Sequence, residues 1–315
     1  MSFSFVNLTH RKKTYACLNP KLNVKVVKLL LDNRSDNDVP HGDTPFHSMC
    51  KNKSSRVETL KLFGHLPNHI FFDGLLGACL RPMLSTKMLV YLLEKKSLTA
   101  AHESTKRALH FLCDNSNATP QLIETILSYG VSVNERDGGQ KTALYFAAKA
   151  TDAKLENVKL LVERGCRAIN EGLRAACMSG KPNPKIIEYL ILQGADPIVP
   201  DVTHQNAIDY LCDNLNFSME ALSALMRNVR DTHKGENPEF VRLSFLNRLF
   251  LTKHVTPEVF DMFKISSQNE LDEVLTLSQK YGILFTHYML TSTLCDRSCT
   301  LIATIHFPAL SFSGL

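Results

Sequence analysis

Nine cysteines and twelve histidines in 315 residues are enough to build a metal centre. Two of the histidines stand three residues before a cysteine, as His47-x-x-Cys50 and His110-x-x-Cys113. Zinc needs four such ligands converging on one point at about 2.0–2.3 Å. Cys295 and Cys299, at i and i+4, would face together if their segment were helical, but no second pair stands beside them. For covalent or phosphate chemistry the chain carries no G-x-S-x-G, no H-E-x-x-H, no phosphate-binding glycine loop and no dinucleotide fingerprint. The carboxylates Glu270, Asp272 and Glu273 cluster on a segment that reads as an exposed helix, where a solvated face is the ordinary outcome. No catalytic residue, metal or cofactor is expected, and the chain does not read as an enzyme.

The spacing of the cysteines shows what positions them. From Cys17 through Cys50, Cys79, Cys113, Ala148 and Cys177 to Cys212 the separations are 33, 29, 34, 35, 29 and 35 residues. Ten residues beyond each lies an apolar residue (Val27, Leu60, Leu89, Ile123, Val158, Ile187, Leu222), and thirteen beyond lies another (Leu30, Phe63, Leu92, Ile126, Leu161, Leu190, Leu225). Apolar residues at i, i+3 and i+4 make one face of an amphipathic helix. Asn23, Ser85, Thr119, Asn183 and Ser218 fall where that helix starts, as residues that accept from its first free amides. Pro120 and Pro184 follow two of them at the first helical position, where no N–H is needed. Arg56 and Lys154 occupy that position in two units without a capping side chain. Gly130, Gly165 and Gly194 sit where the helix should end in a left-handed turn. The reference residues belong to an earlier helix of each unit, whose start is clearest at Thr44-Pro45-Phe46-His47. Six cysteines in one register, about 10 Å apart from unit to unit, read as small buried apolar residues rather than as ligands or disulfide partners.

These residues resemble the ankyrin repeat. The match is carried by Thr44-Pro45-Phe46-His47 for its first helix, and by Gly194-Ala195-Asp196 and Gly130-Val131-Ser132-Val133-Asn134 for the turn after its second. A tetratricopeptide array has a similar period but wants proline at the end of its second helix, whereas here prolines begin helices. The expected fold is all-α, an ankyrin-repeat solenoid of seven to eight helix pairs with short β-hairpin fingers. The array is placed at residues 14–228. Residues 229–290 follow as a degenerate terminal repeat with capping helices, built on Phe250, Thr256-Pro257, Phe260 and Phe263 and a helix from Asn269 to Gly282. Residues 291–315 are left unassigned. The resemblance also implies a structural hydrogen bond from His47 and from His110, where Arg107 replaces the signature threonine.

Units two to four repeat as units five to seven, with Asp73-Gly74-Leu75-Leu76-Gly77-Ala78-Cys79 answering Glu171-Gly172-Leu173-Arg174-Ala175-Ala176-Cys177. The connections entering units three and six are short, which predicts truncated fingers there.

Thirty-six basic and thirty-one acidic residues leave a net charge of +5 with no domain-wide positive field, which argues against nucleic acid as the partner. The basic run of MSFSFVNLTHRKK follows its apolar stretch, the reverse of a secretory signal, and no run of apolar residues is long enough to cross a membrane. A cytoplasmic protein is expected, with nuclear access open.

What the resemblance implies about function is a protein partner, held by finger tips and by the inner face of the first helices. The inner-face positions are Ser48, Lys51, Asn52, Arg81, Phe111, Asp114, Asn115, Lys149, Met178, Asp213 and Asn214, and the finger positions are Phe71, Phe72, Glu135, Arg136 and Asp201. Phe111 is either an exposed aromatic anchor or packing between neighbouring first helices. The leading reading is a protein–protein interaction scaffold or adaptor. The alternative is a substrate-recruiting adaptor that binds ubiquitin-ligase subunits through its C-terminal third, for which Leu294-Cys295 is the nearest echo.

Overall fold

A computed structural model of the chain describes residues 15–19, 25, 44–64, 68–94, 103–232 and 248–249. Those described residues form six helix pairs, each a first helix followed by a second. In chain order they are α1 (Pro45–Lys51) and α2 (Val57–Lys61), α3 (Asn68–Cys79) and α4 (Thr86–Glu94), α5 (Glu103–Asp114) and α6 (Pro120–Ser128). They continue as α7 (Ala143–Lys149) and α8 (Leu155–Glu163), α9 (Ile169–Cys177) and α10 (Pro184–Leu192), α11 (Ala207–Cys212) and α12 (Met219–Thr232). Two compact units meet between Ala195 and Asp196, and each is taken by itself below.

Local chemistry sets the helix ends. Thr44 Oγ1 accepts from the His47 amide at 3.1 Å, with Pro45 at the first helical position of α1. Ser85 accepts from the Met88 amide at 3.3 Å, Asn183 from Lys185 at 3.1 Å and Ser218 from Ala221 at 3.2 Å, as their positions predict. Thr119 is the exception: it precedes α6 but makes no side-chain capping bond. Gly130, Gly165 and Gly194 take φ of +85°, +87° and +94°, the left-handed turn that a β-carbon resists.

In the first unit each first helix packs on the next, α1 on α3, α3 on α5, α5 on α7 and α7 on α9, while the second helices stack alongside from α2 to α10. The repeat register is the core. Cys17, Cys50, Cys79 and Cys177 are wholly buried, Cys113 is 2% exposed and Ala148 1%. The apolar pairs Leu60/Phe63, Leu89/Leu92, Ile123/Ile126, Val158/Leu161 and Ile187/Leu190 are all at 0%. Each such side chain contributes about 1.5–3 kcal/mol by leaving water, so the array is held chiefly by these rows. Burial drives the cysteine thiols upward, those of Cys17 and Cys79 to about 12.

Side chains two residues past the register stitch each pair to the one before. Asn52 Nδ2 donates to the carbonyls of Cys17 and Asn19, both at 2.8 Å. Asn115 Nδ2 donates to those of Cys79 and Arg81, at 2.9 and 2.7 Å. Arg81 Nη2 reaches the Lys53 carbonyl at 2.9 Å, and Ser179 Oγ the Ala150 carbonyl at 3.1 Å. These bonds use carbonyls that a helix leaves free at its C-terminal end.

The connection from α8 to α9 spans only residues 164–168, against 129–142 from α6 to α7, which is the short finger predicted into unit six. Of the connection into unit three, residues 65–67 lie outside the described residues. Where the finger is short, a glycine lets the first helices close up: a β-carbon on Gly172 would stand 2.9 Å from Leu144, and one on Gly77 would strike the His47 carbonyl.

In the second unit Cys212, Leu222 and Leu225 are wholly buried, and burial lifts the Cys212 thiol to about 12. Residues 248 and 249 are helical and Leu249 is fully buried, one residue before the proposed reference Phe250. Val27, Leu30, Phe250, Thr256-Pro257, the 269–282 helix and the 291–315 tail fall outside the described residues, as do Cys295 and Cys299. No described helix is long and apolar enough to cross a membrane.

Candidate functional site

Two fingers share one local design. Asp137 Oδ1 accepts from the amides of Gly139 and Lys141 at 2.9 and 2.8 Å, and its own amide donates to the Lys141 carbonyl at 2.9 Å. Gln140 is pushed to φ +59° to close the loop, and Arg136 bridges back to Thr142 across it. In the second unit Asp201 accepts from the amides of Thr203 and Gln205 at 2.8 and 3.3 Å, and His204 takes φ +59°. Partial burial opposes the Asp201 charge, but bonds from Thr203 Oγ1, from Tyr210 Oη at 2.6 Å and from those two amides hold its carboxyl below the usual range.

The Asp137 finger tip, α5 and α7 together line one open site. Arg107, His110, Phe111, Phe146, Asp137, Gly138 and Gly139 line a cavity of about 500 Å³. Phe111 and Phe146 are half-buried and hold the same place in consecutive units, two residues before Cys113 and Ala148. The Arg107 guanidinium lies 5.5 Å from the Phe111 ring centre. Edge-on aromatic contacts join His110 to Phe146 at 5.6 Å and Phe146 to Tyr145 at 5.4 Å. Lys141 and Lys149 both approach the Tyr145 ring, at 4.9 and 5.3 Å, and Lys149 Nζ donates to its hydroxyl at 3.2 Å.

Beside this ledge the carboxylates are engaged. Glu135 pairs with Lys106 at 2.6 Å, and its carbonyl accepts from His110 Nε2 at 3.0 Å. Glu171 takes Arg136 at 3.4 Å, Lys141 at 3.7 Å and the Thr142 hydroxyl at 3.2 Å. His47, the other signature histidine, turns Nδ1 to Asp73, 3.0 Å from its carbonyl and 3.3 Å from its carboxylate. Both histidines make the structural bond that the ankyrin resemblance implies, each to the unit that follows.

Of the sequence-predicted residues Phe111 lines the cavity, Glu135 and Arg136 precede the Asp137 turn in the finger, and Asp114 and Lys149 are exposed one residue past the register. Lys51 is exposed and Met178 half-buried at the equivalent place in units two and six. Several others are corrected. Phe71 is no finger residue: it lies inside α3, wholly buried, its ring 5.1 Å from that of Phe46, and Phe72 follows in the same helix. Ser48 and Asn52 are 5% exposed and Arg81 4%, and Asn52, Arg81 and Asn115 spend their donors on the preceding unit's carbonyls. Uncorrected are the second unit's residues: Asp201 stands in its finger turn, Asn214 Oδ1 accepts from the Asn216 amide at 2.9 Å, and the exposed Asp213 pairs with Arg248.

Phe146 and Tyr145 were missed. Their signal was available, since Phe146 repeats the Phe111 offset, but a single aromatic in a helix start resembles core until its neighbours are placed. Among the described residues no three His, Cys, Asp or Glu side chains are grouped to hold a metal. What the site offers is shape, aromatic surface and charge, which is the chemistry of binding.

No family profile and no curated protein sequence matches the chain. Among solved structures it is similar to the human ASB11 ankyrin repeat domain, at 18% identity and a TM-score of 0.49, over 69% of this chain and 96% of that one. The paired helices, the left-handed glycine after the second at Gly130, Gly165 and Gly194, and the projecting finger recur at the spacing set out above. The fold is an all-α repeat of the ankyrin type.

Proposed function

We propose that the chain is a protein–protein interaction scaffold that holds its partner on the inner face of units four and five. One observation carries this reading: Phe111 and Phe146, half-exposed at equivalent positions, line an open cavity together with the Asp137–Gly139 finger tip. An aromatic ledge with a polar rim is the kind of surface from which interface anchors draw their energy. Nothing in the cavity supplies a nucleophile, a general base beside one, or a metal set, so the reading is non-enzymatic and without a cofactor. The partner is a protein rather than nucleic acid or a membrane, met in the cytoplasm or nucleus. The ubiquitin-ligase alternative rests on residues 229–315, of which only 229–232, 248 and 249 are described, and no observation there favours it.

The test is affinity capture from cells with the intact chain and with Phe111→Ala/Phe146→Ala, both checked for an unchanged helical circular dichroism spectrum. The reading expects specific partners of the intact chain to be lost or reduced about tenfold or more with the double variant. An identical partner set with the two proteins would overturn it.

A further inference from the structure

We infer that the occupant of this cavity is an extended peptide segment with an acidic side chain two residues from an aromatic or branched apolar one. The inference rests on the protein-binding reading above and adds the chemistry of the partner. It follows from which charges are already committed. Glu135 is paired with Lys106, and Glu171 with Arg136 and Lys141. Asp137 spends one carboxylate oxygen on two amides of its own turn. Arg107 and Lys149 are exposed and are held only over aromatic rings, Lys149 with a further bond to a tyrosine hydroxyl, and neither has a carboxylate partner among the described residues. Asp114, also exposed, and the second carboxylate oxygen of Asp137 in the cavity lining are the acidic groups there that such a partner would have to avoid. An incoming chain thus meets the Arg107 guanidinium in the cavity lining, with Lys149 held on Tyr145, the neighbour of Phe146.

Geometry sets the pattern. Arg107 and Phe111 are one helical turn apart, and the guanidinium lies 5.5 Å from the ring centre. Side chains on one face of an extended strand recur about every 6.6–6.8 Å. A carboxylate on the Arg107 fork therefore leaves the side chain two residues away within reach of the Phe111 ring in the same cavity. Guanidinium matches carboxylate in a planar, two-bond arrangement that an ammonium does not reproduce, which makes Arg107 the residue that specifies the acid.

The experiment pans a random dodecapeptide phage library on the full chain and measures the enriched peptides, made synthetically, by fluorescence anisotropy. Asp or Glu two residues from Phe, Leu, Ile or Met is expected to be enriched. Arg107→Gln should weaken those peptides about tenfold or more, Arg107→Lys should weaken them less, and Phe111→Ala should abolish binding while Phe111→Leu retains part of it. Enriched peptides that need Phe111 but are neutral or basic, or are indifferent to Arg107→Gln, would overturn this inference and leave the groove as a protein site. Enrichment that ignores Phe111 altogether would overturn it too, and the capture experiment would then decide the broader reading alone.

Discussion

Thr142 donates its hydroxyl to the carboxylate of Glu171, 29 residues on, at 3.2 Å. Ninety-eight residues earlier (142 − 44 = 98, 171 − 73 = 98) Thr44 donates to Asp73 across the same interval. The duplicated three-unit block is thus repeated in its side-chain bonds as well as its spacing. In both copies the threonine that opens a first helix is tied to an acid in the first helix of the next unit. Asp73 is 1% exposed, so in the first copy the carboxylate depends on protein donors in place of water.

Thr44→Ala removes both the α1 cap and the hydroxyl that Asp73 accepts. It should lower unfolding free energy by about 2–3 kcal/mol, a lost cap plus part of the cost of a buried acceptor left short of a donor. Thr142 makes no cap bond, and Thr142→Ala should cost about 1 kcal/mol. Urea denaturation followed by circular dichroism checks the pair. Equal losses would mean that the two copies are not used as described.

Gly172→Ala puts a methyl 2.9 Å from the Leu144 side chain, in the tight approach of α7 and α9. Helix propensity favours the change by about 1 kcal/mol, but overpacking of a closed interface costs about 1–3 kcal/mol. The midpoint of thermal unfolding should fall. Gly138, at the finger tip with open space around its β-carbon position, should accept alanine without a measurable shift.

The buried thiols make stability fail in alkali. Cys79 is raised from 9.0 to about 12 by burial. A folded-state pKa above the unfolded one gives stability that is complete below about pH 9 and is lost as pH rises toward 12. The loss is about 1.4 kcal/mol per pH unit for each such thiol. Cys79→Ala, which copies Ala148 of the same register, should flatten the decline between pH 9 and 10.5 in urea titrations. At pH 8 the folded chain's buried cysteines should resist iodoacetamide and react once urea is added.

How much of this the sequence could show depends on how local the cause is. Thr44, Pro45, Gly130, Gly165 and Gly194 act within one turn of chain, so residue type alone places them. The register of Cys50, Cys79 and Cys113 was legible because core positions repeat. Asn52 and Asn115 were misread because a polar residue just past a helix can face solvent or turn back to the preceding unit, and only the carbonyls of Cys17 and Cys79 decide between these. Phe71 was misread for a related reason: the shortened connection starts α3 at Asn68, so a residue counted as finger already lies in the core. The ledge itself needed three elements from two units, α5, α7 and the Asp137 turn, and no local pattern joins them.

In the proposed function a partner sits on the inner face of units four and five. Hydrogen–deuterium exchange on the full chain, alone and with a captured partner bound, tests it most directly. Added protection is expected in the finger at 135–141 and in the first helices around Phe111 and Phe146, with the second helices α6 and α8 unchanged. Protection confined to α6 and α8, with the finger exchanging as fast as in the free chain, would contradict it.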